Sequence, residues 1–365
     1  MFSTEPLQNN SYMISNIHIQ HFRGIREAFL DNLGQFNLFL GRNNCGKSTV
    51  LDALLLFICH DHPEVHVNIQ NIRQLNIQKS DDVKLCFHQL DTDSPIVIEG
   101  DYGNTRRSES VSYFETQAEK IEQGNVDLKG NKNTNLFGFK IDYTIEDEHK
   151  HDFSARLTFN PQQPKEVLID NMMNVSPWHV NCAYLASATG HERENEYEGF
   201  SRVLKEKQEP RVLRILQQIE SSIKDIVVAD DRVMVDIGLD RRVPVQVLGD
   251  GVRKVLNIVL AMYLCKNGVI LIDELENGLH YSTMPVLWKA IIVAARDFNV
   301  QVFCTTHNID SLNAVKEVIR EDPDETLKDL WRAFTLKKAD DGVLRVYTHT
   351  YNQYEYLLDT EREIR

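Results

Sequence analysis

The stretch Gly41-Arg42-Asn43-Asn44-Cys45-Gly46-Lys47-Ser48-Thr49 meets every fixed position of the phosphate-cradling loop G-x-x-x-x-G-K-[ST]. Before it, residues 35–40 (QFNLFL) form a short apolar run of strand length; after it, Ser48 to Ile58 is a Leu-rich helical run without Gly or Pro. Strand, glycine turn and helix are the order this loop requires, because the turn and the positive end of the helix aim backbone N–H groups at phosphates. The pattern assigns Gly41, Asn43, Asn44, Cys45, Gly46, Lys47, Ser48 and Thr49 to nucleotide binding. Lys47 is expected to reach the β/γ-phosphates and the Ser48 hydroxyl to ligate Mg²⁺.

Three downstream segments extend the pattern. Gly268-Val269-Ile270-Leu271-Ile272-Asp273-Glu274 describes a buried parallel strand whose carboxyl end emerges into a ligand crevice. There Asp273 is expected to hold the metal through its water shell and Glu274 to polarise the attacking water as general base. Val300 to Asn308 (VQVFCTTHN) repeats an apolar strand running into polar residues, with His307 at its tip, suited to contact a γ-phosphate. Leu248-Gly249-Asp250-Gly251-Val252-Arg253-Lys254 precedes the apolar helical run Val255 to Tyr263, so two glycines again expose N–H groups at a helix start.

Together these segments resemble ABC-type ATPases of the soluble branch that includes RecF, the structural-maintenance-of-chromosomes heads and the OLD-like (overcoming lysogenisation defect) ATPases. The OLD-like group, the AAA-family ATPases of phage defence, is the most similar. Ile17-His18-Ile19-Gln20-His21-Phe22-Arg23-Gly24-Ile25, Asp273-Glu274-Leu275-Glu276-Asn277-Gly278-Leu279-His280, Thr305-Thr306-His307-Asn308 and the ending Glu361-Arg362-Glu363-Ile364-Arg365 carry that resemblance. It implies an α/β fold: an ABC-type head with a mixed sheet around the phosphate-loop helix, plus a strand-rich insertion and a helical signature lobe. The expected organisation is one split head, with residues 1–100 as the phosphate-loop lobe, 101–180 as the insertion and 181–365 as the lobe carrying the signature, the Asp-Glu strand and His307.

The resemblance also implies ATP and Mg²⁺ as ligands, and a homodimer, or a higher oligomer of dimers, in which Gly249, Asp250 and Gly251 of one copy cover the ATP of the other. Gly249 and Asp250 stand where such signatures usually have Ser and Gly, so the hydroxyl that donates to the γ-phosphate across the dimer is missing. Asn44 replaces a common loop Gly, which is tolerable because Asn enters the left-handed region readily. Gln89 is the candidate for the glutamine near Mg²⁺. Full OLD proteins carry a C-terminal nuclease domain, whereas only 58 residues follow His307 here and Asp340-Asp341-Gly342 reads as a hairpin turn. The expected role is therefore an ATPase switch controlling a separately encoded nuclease or toxin in anti-phage defence. The alternatives are a RecF-like DNA-binding repair ATPase and a non-hydrolysing scaffold.

Bulk properties bound these choices. A chain of 365 residues with 42% hydrophobic content can bury a large core, and no linker or repeat interrupts it. A net charge of −14 argues against a surface that clamps nucleic acid throughout. Any contact must be local, with Arg202, Lys205, Lys207, Arg211, Arg214 and Arg106-Arg107 as candidates, although interleaved acids favour a solvated face. The six cysteines lack C-x-x-C spacing and read as reduced core residues of a cytoplasmic protein. No apolar run reaches membrane-spanning length.

His60-Asp61-His62-Pro63-Glu64-Val65-His66 offers ligand-type residues without the partner pair of a structural zinc site. Glu146 to Asp152 lies between alternating flanks and reads as a hairpin turn. Val212, Leu213, Ile215, Leu216, Ile219 and Ile223 recur at helical spacing after Pro210, predicting an amphipathic helix across 210–227. It is too short for a coiled-coil arm.

Overall fold

The computed structural model describes residues 13–117, 135–163, 166–171, 178–186, 192–218 and 220–360. Residues 118–134 of the expected insertion, Ile219 and the ending 361–365 lie outside the described residues. The fold is mixed α/β. Its strands are β1 (Ile14–Phe22), β2 (Ile25–Leu30), β3 (Phe36–Leu40), β4 (Ile96–Tyr102), β5 (Thr105–Gln117), β6 (Asn135–Glu146), β7 (Lys150–Phe159) and β8 (Val167–Asn171). They continue with β9 (Cys182–Leu185), β10 (Asp225–Ala229), β11 (Arg232–Asp236), β12 (Val243–Pro244), β13 (Val269–Ile272), β14 (Gln301–Thr305), β15 (Trp331–Lys338) and β16 (Val343–Thr350). The helices are α1 (Lys47–Ile58), α2 (Val65–Ile72), α3 (Ser80–Lys84), α4 (Glu192–Lys205), α5 (Glu209–Gln217), α6 (Asp250–Leu264), α7 (Met284–Phe298), α8 (Ile309–Glu321), α9 (Thr326–Leu330) and α10 (Tyr351–Asp359).

The chain divides into two compact units. The first comprises residues 1–33, 44–180 and 336–346, with strand order β8-β7-β6-β5-β4-β1-β2-β16. These strands pair antiparallel from β8 to β2. β6 and β7 alternate and pair through Glu146↔Lys150, so the acidic run is the turn its flanks predict. The Asp-Asp-Gly turn closes with Ala339 N donating to Val343 O (2.9 Å) and Gly342 at φ 83°.

The second unit comprises residues 34–43, 181–335 and 347–365, with the order β15-β3-β14-β13-β9 in parallel register throughout. β3, β13 and β14 are buried along their whole length, which is why their sequences are nearly continuous apolar runs and not alternating ones. α6, α7 and α8 supply the rest of this core, with Leu256, Val259, Trp288, Ile291 and Leu312 at 0% exposure. One expectation is corrected. The helix predicted over 210–227 stops at Gln217, where Gln217 Nε2 donates to Ile223 O (2.9 Å) and the chain turns into β10. Ile223 and Ile226 still enter the core, so the helical spacing beyond Gln217 reflects burial by a turn and a strand.

Candidate active site

Chain direction sets the site. β3, β14 and β13 are parallel neighbours, with Phe39↔Thr305 and Cys304↔Ile272 in register. Their carboxyl ends therefore bring Gly41, Thr306-His307 and Asp273-Glu274 to one edge of the sheet, where open α/β folds bind ligands.

At the end of β3 the backbone leaves through Gly41 at φ 147°, Asn44 at φ 64° and Gly46 at φ 109°. The two glycines take conformations that a Cβ would strain, and Asn44 occupies the left-handed region anticipated for it. Gly46 caps α1 in the left-handed region and the first turn of α1 holds no acid, so the positive end of the helix dipole faces the loop with no opposing carboxylate. Asn43 and Asn44 are exposed, Cys45 and Lys47 buried, Ser48 and Thr49 half-buried. The helix is braced from within the first unit. Asp52, at 0% exposure, accepts from Arg73 Nε (3.0 Å) and Nη2 (2.8 Å) and from Arg23 Nη1. Arg73 Nη2 also donates to Ser48 O (3.2 Å).

On the neighbouring strands, Thr305 carries a relay that the sequence did not reveal. Its Oγ1 donates to Asp273 Oδ1 (2.8 Å) and accepts from Glu274 N (2.7 Å). Thr305 is fully buried and Asp273 is 4% exposed. Glu274 itself sits at φ 51°, a left-handed conformation that costs a non-glycine residue free energy and persists where the surroundings hold it. Asn277 Nδ2 donates to Glu274 Oε2 (2.5 Å). Glu276, buried, accepts from His307 N (3.0 Å) and lies 3.1 Å from His307 Nδ1, fixing the ring at the strand tip.

The signature segment opens α6. Gly249 is its N-cap at φ 90°, with open space around the position a Cβ would take; Gly249 and Asp250 are exposed and Gly251 is half-buried. Buried Glu196 of α4 accepts from Arg253 Nε (2.8 Å) and Gln246 Nε2 (2.9 Å), which pins the helix start. Lys254 Nζ donates to Asn277 O (2.6 Å), so α6 is joined through Asn277 to the Glu274 carboxylate. A pocket of about 510 Å³ lies here, lined by Asp250, Arg253, Lys254, Asp273, Glu274 and Asn277 among others.

Gln89 lies in the first unit, exposed and at φ 53° on a single turn at His88–Leu90. Among the nucleic-acid candidates, Arg107 is withdrawn from solvent: it is 4% exposed, stacks on the Tyr102 ring (4.4 Å) and donates to Trp178 O (3.2 Å). Burial lowers its pKa to about 10. Arg106 is engaged by Glu99 and Arg202 by Glu206, while Lys205, Lys207, Arg211 and Arg214 are exposed. The cysteines are all free thiols, and burial pushes Cys86 and Cys265 up to about 12. Among the described residues no helix is long and apolar enough to cross a membrane.

Sequence reasoning missed Thr305, Glu276, Asn277, Glu196 and Asp52. Glu276, Asn277 and Thr305 lie inside the motifs of the two strand ends, and for Thr305 a polar residue closing an apolar strand is the available signal. Asp52 and Glu196 gave none, since their partners are remote in sequence.

Among known proteins, an ATP/GTP phosphatase of Helicobacter pylori is 24% identical across 96% of this chain and 100% of its own length. Among solved structures, an SMC head bound to the C-winged helix domain of ScpA aligns with TM-score 0.46 and 12% identity, covering 92% of this chain and 97% of that one. The SMC head domain from Thermotoga maritima aligns with TM-score 0.44 and 9% identity, covering 92% and 98%. Residues 36–313, about three quarters of the chain, match the family described as "AAA domain, putative AbiEii toxin, Type IV TA system". The chain belongs to that AAA-domain family and is an ATP hydrolase.

Proposed function

We propose that the chain is a Mg²⁺-dependent ATPase switch that dimerises around ATP and controls a separately encoded effector, a nuclease or toxin, in antiviral defence. The observation that carries this proposal is the shared carboxyl edge of β3, β14 and β13, where Gly41, His307, Asp273 and Glu274 meet. In this role Lys47 and the positive end of α1 offset the β/γ-phosphate charge. Glu274 accepts the proton of the attacking water. His307, steadied by Glu276, contacts the γ-phosphate edge. The Ser48 hydroxyl of the loop motif and the Asp273 carboxylate are each oxygen donors of the type that a hard cation such as Mg²⁺ prefers. When bound, that ion would neutralise charge on the transferred phosphoryl group.

Dimerisation is supported by the exposed Gly249–Asp250 turn and by exposed apolar residues of the same unit, Val247 at 65%, Leu239 at 60% and Tyr281 at 61%. The link from α6 through Lys254 and Asn277 to Glu274 gives a physical route from signature contact to catalytic base.

Lys47→Ala should abolish ATP binding, and Glu274→Gln should keep binding while lowering turnover by about 10²–10⁴-fold. Light scattering should show the Glu274→Gln protein as a dimer with ATP and a monomer without it. Wild-type turnover by Glu274→Gln sinks the base assignment. Asp250→Arg should block the ATP-dependent dimer, and a variant that still dimerises and hydrolyses ATP normally rules out contact in trans.

A further inference from the structure

Away from the nucleotide machinery, the loop that leaves α1 meets the segment that precedes β9. Among the described residues, Asp61, His62 and His179 are the one set of three metal-ligating side chains with a ligand atom from each within 4.8 Å of the others. We propose that these three residues bind a divalent transition-metal ion of the zinc class.

The donor atoms are arranged for it. Asp61 is nine-tenths buried, with 9% side-chain exposure. One of its oxygens, Oδ2, meets His179 Nδ1 at 2.8 Å. The other, Oδ1, is buried without a hydrogen-bond partner and lies 4.0 Å from His62 Nε2. A buried carboxylate oxygen left in that state is costly, and a cation between it and His62 would satisfy it.

His62 is prepared for ligation from behind. Glu64 Oε1 lies 3.0 Å from His62 Nδ1; with the proton on Nδ1 donated to Glu64, Nε2 carries the lone pair that faces Asp61. A carboxylate behind a metal-binding histidine sets the tautomer and the ring orientation in this way. The imidazoles of His62 and His179 meet edge to face at 5.6 Å. Both are half-exposed, at 50% and 47% of the side chain, so water can enter and complete a four-coordinate set. Arg107 interacts electrostatically with Asp61 and contacts His60 (3.3 Å), yet Oδ1 remains unpartnered. Two imidazoles and one carboxylate match zinc better than Mg²⁺ or Ca²⁺, which prefer all-oxygen shells.

The ligands are separated by more than a hundred residues of strand-rich chain, so the partner absent from His60-Asp61-His62 in the sequence is supplied by His179. The ion would clamp the exit of the phosphate-loop helix to the segment that ends the first unit.

The test uses the full chain, stripped of metal by chelator, free of nucleotide and kept reduced. Zn²⁺ is titrated against a chromophoric competitor, and Co²⁺ serves as the visible-band probe. One Zn²⁺ per chain is expected, with affinity lowered in His62→Ala and His179→Ala by more than the 10- to 100-fold, roughly, of an outer-shell change, and by about 10-fold in Glu64→Gln. Both imidazoles are half-exposed, so the two alanine variants should keep the parent circular dichroism spectrum. An absence of tight Zn²⁺ binding, or unchanged affinity and stoichiometry in both folded alanine variants, overturns the proposal. Because the assay contains no ATP, failure here leaves the ATPase assignment to its own test.

Discussion

Thr305→Val separates the relay on β14 from general packing. Valine keeps the shape of threonine and removes only the hydroxyl, so Asp273 Oδ1 loses a donor at 2.8 Å and Glu274 N loses its acceptor at 2.7 Å. A lost hydrogen bond to a charged group is worth about 1.5–3 kcal/mol and an unsatisfied buried N–H about 1–3 kcal/mol. Some relaxation of the turn is inevitable, so the expected loss of stability is about 3 kcal/mol. The left-handed backbone of Glu274 is then held mainly by Asn277, and displacing a catalytic group by about 1 Å costs roughly 10²-fold in rate. The expected signature is a kcat lowered by about 10- to 100-fold with KM nearly unchanged, since no phosphate-loop residue is touched. Urea unfolding followed through the buried Trp288 and Trp331 reads the stability of this unit, and hydrogen exchange of a peptide covering 270–277 reads the Glu274 amide directly. Thr305→Ser should recover most of both effects. A valine variant with parent stability, parent amide protection and parent kcat would show that the hydroxyl neither orders Asp273 nor fixes Glu274.

Two further outcomes follow from the first unit. Asp52→Ala strands Arg23 and Arg73 and should cost about 3–5 kcal/mol, the penalty of breaking a buried pair; unaltered hydrogen-exchange protection across α1 would contradict it. His60 is buried and, by desolvation first and the Arg107 guanidinium second, has its pKa lowered from 6.5 to about 4. Between those values the unfolded chain takes up a proton that the folded chain refuses, so this contribution is present above pH 6.5 and is lost as pH falls toward 4. His60→Asn should flatten that part of a urea-midpoint profile measured from pH 4.5 to 7, and an unchanged slope would refute the assignment.

The sequence by itself determined the local chemistry. A glycine turn between an apolar strand and a helix, an aliphatic strand ending in Asp273-Glu274, and a glycine pair opening α6 are each written within a dozen residues, because backbone conformation and burial there depend on near neighbours. The buried strands β3, β13 and β14 were legible for the same reason: a strand covered on both faces must be apolar throughout.

The length of α5 was not legible. Burial of Ile223 by a turn leaves the same spacing of apolar residues as burial by a helix. Only the tertiary structure decided which side chains hold the site in place. Thr305 reaches Asp273 because two parallel strands lie in register, Glu276 holds His307 across the same pair, and Glu196 meets Arg253 because α4 packs on α6. His179 joins Asp61 and His62 across the whole strand-rich segment. Such contacts depend on chain closure over long separations, and a single sequence contains no local signal of which remote residues the closure will bring together.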